Sequence, residues 1–83
     1  MKAKINHGQR GKRIDQLVKE YEFEYPREFY DYIIESYEDG NHDQVIELFN
    51  EMKEYDQKTF LLNCMMMRSI YGEKVHDLII KSL

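Results

Sequence analysis

The chain has 83 residues with 16 acids against 12 lysines and arginines, a net charge of −4, one cysteine, one proline and no tryptophan. That length holds one hydrophobic core and excludes a second. A lone thiol excludes an internal disulfide and suits a reducing compartment, so the expectation is a soluble, cytoplasmic protein. No apolar run approaches the roughly 20 residues that span a bilayer, and the basic start of the chain lacks the apolar stretch of a signal peptide.

Charge is laid out in blocks. Residues 1–13 carry Lys2, Lys4, Arg10, Lys12 and Arg13 with no acid, whereas residues 14–56 hold 14 acids against Lys19, Arg27 and Lys53. Such asymmetry bears on partners and solubility, not on fold.

In chain order, residues 1–11 have no apolar period and read as a flexible basic arm, leaving 12–83 as a single helical domain. Ile14, Leu17, Val18 and Tyr21 recur at helical spacing and predict a first helix from Lys12 to about Glu22. Tyr25-Pro26 interrupts it, because a residue before proline avoids the α region while proline suits the first position of a helix. A second helix, Pro26 to about Glu38, presents Phe29, Tyr30, Ile33, Ile34 and Tyr37. Asp39-Gly40-Asn41 stops it and caps a third helix bearing Val45, Leu48, Phe49 and Met52. The two form an antiparallel hairpin.

Asp56 suits the N-cap of a fourth helix, about 57–71, closed by Gly72. Phe60, Leu61, Leu62, Cys64, Met65, Met66, Met67, Ile70 and Tyr71 leave that segment little polar surface, which predicts a central position. A fifth helix, Glu73 to about Ser82, closes the fold with Val75, Leu78 and Ile79. The alternation over Tyr21–Tyr25 is too brief for a strand. The expected class is all-α, a compact four- to five-helix bundle around a central apolar helix.

Tyr30, Ile33, Ile34, Tyr37, Gly40, Val45, Leu48, Phe49, Glu51 and Met52 resemble the helix–turn–helix consensus of one pentatricopeptide repeat. The turn before Gly40 is one residue short of that pattern, about 23 residues are covered, and there is no second copy. The resemblance implies a helical hairpin. RNA reading in that family rests on stacked repeats, which this chain lacks.

Catalysis needs a nucleophile or tuned acid–base pair in a pocket. Cys64 sits among apolar residues, where burial makes a thiol inert, and His7, His42 and His76 are scattered. Asp39, His42 and Asp43 cluster at a helix junction, where caps are expected. The reading is no enzyme, no catalytic residue, no metal and no cofactor.

The acids are more informative. Glu28, Asp31, Glu35 and Glu38 repeat along the second helix, and Asp43, Glu47, Glu51 and Glu54 along the third. Like charges at this spacing oppose helix formation by a few tenths of a kcal/mol per pair, so helix stability alone does not explain them. The expected function is a small non-enzymatic protein-binding module or modulator, of a style common in phages and mobile elements. Its acidic face would engage a protein with a basic surface. The alternative is a small nucleic-acid-binding regulator that uses Lys2, Lys4, Arg10, Lys12 and Arg13 against phosphates. No membrane partner is expected. Because Met65, Met66 and Met67 point about 100° apart, one can face outward and form a homodimer seam.

Overall fold

The computed structural model describes residues 11–66 and 70–82, and among these residues there are five helices. These are α1 (Ile14–Glu20), α2 (Pro26–Glu38), α3 (His42–Glu51), α4 (Glu54–Met66) and α5 (Ile70–Lys81). Among the described residues there is no strand; one isolated parallel bridge joins Lys12 and Met52. The all-α bundle is what the periodicity predicts.

α2 is the hub, packing against α1, α3 and α5. Its spacing buries Phe29, Tyr30, Ile33 and Ile34 against Leu17, Val45, Phe49, Met52, Phe60, Val75 and Ile79. Fully burying a side chain of this size contributes about 1.5–3 kcal/mol, so these residues supply most of the driving force. Pro26 occupies the first turn of α2. Asn41 caps α3, its side-chain oxygen accepting from the Gln44 amide at 3.3 Å.

Two helix ends close in the same way. At the end of α2, Gly40 N–H donates to Tyr37 and Asn41 N–H to Ser36, each at 2.9 Å, with Gly40 at φ +79°. At the end of α1, Glu22 N–H donates to Lys19 at 3.1 Å and Phe23 N–H to Val18 at 2.8 Å, with Glu22 at φ +59°. Both are Schellman closures that satisfy orphan carbonyls. The left-handed residue is a glycine in one and a glutamate in the other. That turn ends α1 two residues before the expected Glu22.

α1 has seven residues and no local side-chain cap; a helix so short is not stable alone. Its N-terminus is instead held from across the fold, where the Asp56 carboxylate accepts the Ile14 amide at 2.9 Å. Residues 11–13 are also strapped to the α3–α4 connection, with Lys12 N–H donating to Glu51 at 2.7 Å and Lys53 N–H to Lys12 at 3.1 Å. A Cβ on Gly11 would lie 2.0 Å from the Met52 carbonyl oxygen, so only glycine permits this approach. Gly11, expected as the end of the arm, is therefore packed; residues 1–10 lie outside the described residues.

The fourth helix differs from expectation in position. It starts at Glu54, so Asp56 lies inside its first turn, buried and capping α1. Ile70 and Tyr71 belong to α5, and Gly72 is buried within α5 where a helix stop was expected. α4 is not surrounded either. It buries Asp56, Gln57, Phe60 and Cys64 on one stripe, while Leu62, Met65 and Met66 are 57–73% exposed. Only the stripe bearing Phe60 and Cys64 faces inward; the wide apolar face of α2 takes the centre instead.

Candidate functional site

A groove of about 490 Å³ opens beside the α1–α2 corner, lined by Tyr21, Phe23, Glu28, Asp31, Tyr32 and Glu35. Its aromatic members form one cluster. Tyr21 and Tyr32 meet edge-to-face at 6.0 Å between centroids, Phe23 and Tyr32 at 6.1 Å, and Tyr21 and Phe23 at 5.9 Å. Tyr21 also stacks on the fully buried Phe29 at 5.4 Å, which ties the cluster to the core.

Local structure explains why these residues converge. The left-handed turn at Glu22 reverses the chain and brings Phe23 back against α2 beside Tyr21. On α2, Tyr32 follows Glu28 by four residues and precedes Glu35 by three, so all three share one helical face. The phenols are tethered to α3: the Tyr21 hydroxyl donates to the Glu51 carboxylate, and Gln44 Nε2 donates to the Tyr32 hydroxyl at 2.8 Å. The rings are thus held in place before any ligand arrives. Burial, and then the Glu51 carboxylate, push the Tyr21 phenol well above its ordinary range, so it is neutral and a donor at physiological pH.

The eight acids singled out from sequence divide. Glu28, Asp31 and Glu35 reach the groove, and Glu51 supports it from behind through Tyr21. Glu38, Asp43 and Glu47 are exposed and do not line it, and Glu54 pairs with Lys58 at 3.1 Å. Asp31 has a long contact of 4.0 Å with Arg27. Glu28 accepts the Glu24 amide at 3.1 Å. Among the described residues, no lysine or arginine lies within 4.0 Å of the carboxylates of Glu28, Glu35, Glu38, Asp43 or Glu47.

Of the basic set, Lys2, Lys4 and Arg10 lie outside the described residues. The Lys12 ammonium is held by Glu20 at 2.7 Å, which raises its pKa. Arg13 is exposed beside Asp15 at 3.8 Å.

Buried polar groups are occupied by structure. Gln57 Nε2 donates to the Phe49 carbonyl at 3.1 Å, the Ser36 hydroxyl to the Tyr32 carbonyl at 2.9 Å, and Asp56 caps α1. Burial pushes the Cys64 thiol up to about 12, which leaves almost no thiolate at neutral pH. His42 stacks on Tyr37 at 4.6 Å. Among the described residues no three of His, Cys, Asp and Glu gather as a metal site, and no helix is long and apolar enough to cross a membrane.

The sequence pattern alone does not mark Tyr21, Phe23 and Tyr32 as site residues. The signal for Tyr32 was its register with Glu28 and Glu35. For Tyr21 and Phe23 it was the density of aromatics in an otherwise acidic interhelical segment. No family model, curated protein or solved structure matches this chain.

Proposed function

We propose that this protein is a small non-enzymatic binding module that captures a basic segment of another protein on the outer face of α2. A stoichiometric modulator, of the kind mobile elements use, would need no more than this. The observation that carries the reading is the groove, where aromatic walls meet Glu28 and Glu35 and no lysine or arginine among the described residues lies within 4.0 Å of either carboxylate. A carboxylate stripe alone serves solubility. Next to fixed aromatic rings, it matches a cation that carries apolar surface.

The test compares two variants of equal charge. Glu28→Gln/Asp31→Asn/Glu35→Gln alters the groove, and Glu38→Gln/Asp43→Asn/Glu47→Gln alters exposed acids that do not line it. Titrated with a decapeptide of mixed lysine and arginine at moderate salt, the groove variant should lose about tenfold in affinity, equal to 1.4 kcal/mol. The control should lose less than threefold. Equal losses would reduce the effect to net charge and dismiss the groove.

A further inference from the structure

Resting on that reading, we infer that the groove is selective for arginine over lysine, taking an arginine side chain from a short extended segment. The rings and the carboxylates line one shared space, and this juxtaposition separates the two cations. A guanidinium is planar and weakly hydrated. It lies against an aromatic face while its edge still offers N–H groups to carboxylates on either side. An ammonium is a compact, strongly hydrated point charge, and in an open groove it gains little by leaving water for a ring.

The arrangement of the walls supports this choice. Tyr32 is nearly perpendicular to both Tyr21 and Phe23, at 75° and 77°, so the cluster presents surfaces in more than one direction. Glu28 and Glu35 flank Tyr32 along the helix, about 10 Å apart at 1.5 Å rise per residue. About three residues of extended chain span that distance. The tethers from Tyr21 to Glu51 and from Gln44 to Tyr32 keep the rings from collapsing into the space. The volume of about 490 Å³ exceeds what one side chain fills, leaving room for its neighbours in the segment.

The experiment titrates the 83-residue chain with two blocked seven-residue peptides, one alternating glycine with three arginines and the other glycine with three lysines. Amide NMR shifts and calorimetry at 150 mM salt report binding. The arginine peptide should bind at least fivefold more tightly, with the largest shifts at Phe23, Glu28, Tyr32 and Glu35. Phe23→Leu should abolish the preference while both peptides still bind through charge. Should that variant unfold, Glu28→Gln/Glu35→Gln, which removes both charges while keeping an acceptor for the Glu24 amide, should lower the arginine affinity more than the lysine affinity. Equal affinities with shifts still centred on the groove overturn the arginine inference and leave the basic-segment reading standing, whereas shifts centred elsewhere remove both. Binding of neither peptide removes both.

Discussion

The corners at Glu22 and Gly40 carry the same pair of closing hydrogen bonds and the same left-handed residue, yet they are built from different material. At Gly40 the residue type suits the conformation, and the turn joins α2 to α3 with nothing further attached. At Glu22 a side chain sits where Cβ crowds the backbone, at a cost of about 1–2 kcal/mol. This strained corner is the one that places Tyr21 and Phe23 around the groove. A relaxed turn can be set by its own sequence; a strained one has to be held by its surroundings. Here the holders are distant in sequence: Asp56 on Ile14, Glu51 on Tyr21, and Phe29 under the Tyr21 ring.

The sharpest way to break the comparison is to remove a holder. Asp56→Ala leaves the Ile14 amide and the α1 N-terminus without their partner, and should cost about 2 kcal/mol in urea unfolding. Amide exchange should accelerate more over α1 and the Glu22 corner than over the Gly40 corner. Equal acceleration at both would mean that α1 is not held separately.

Next in size are the corner residues themselves. Gly40→Ala should cost about 1 kcal/mol. No atom lies within 4 Å of the added Cβ, so the whole cost comes from φ. Glu22→Gly should move the other way, raising stability by about 0.5–1 kcal/mol. If Glu22→Gly destabilised the fold, the glutamate would be held by something other than strain.

A smaller effect is expected from the Tyr21 tether. Tyr21→Phe removes the bond to Glu51 and should cost about 0.5–1.5 kcal/mol at neutral pH. Because the fold raises the phenol's pKa, its contribution is complete below the unfolded value near 10 and lost as pH climbs beyond it. The variant should therefore show a shallower alkaline loss, measured in a Cys64→Ala background so that the thiol does not titrate in the same window. An unchanged slope would remove Glu51 and burial as the cause.

The smallest signal is kinetic. With its pKa raised to about 12 and its side chain buried, Cys64 should react with iodoacetamide at pH 8 only when the fold opens. Labelling should speed up in Asp56→Ala and slow in Glu22→Gly. Equal rates across these variants would mean that Cys64 is reached without opening either corner.

The α2–α3 hairpin was legible in the residues because each of its parts is local. Pro26 starts a helix, Gly40 ends one, Asn41 caps the next, and apolar spacing orients both. The acidic stripe on α2 was legible for the same reason. The place of the fourth helix was not: a count of apolar residues on Phe60–Tyr71 cannot show that α2 takes the centre, leaving Met65 and Met66 in solvent. Nor does local propensity show that Asp56, well suited to cap its own helix, caps one 42 residues away.

Alone, then, the sequence determined the helices, the hairpin and the surplus of carboxylates, since periodicity, caps and charge act between residues a few positions apart. Tertiary packing decided which of those carboxylates share a groove with aromatic rings. Tyr21, Phe23 and Tyr32 meet only when a seven-residue helix is pinned by α4 and Glu22, just past its end, is held left-handed. Contacts at that separation depend on the whole fold.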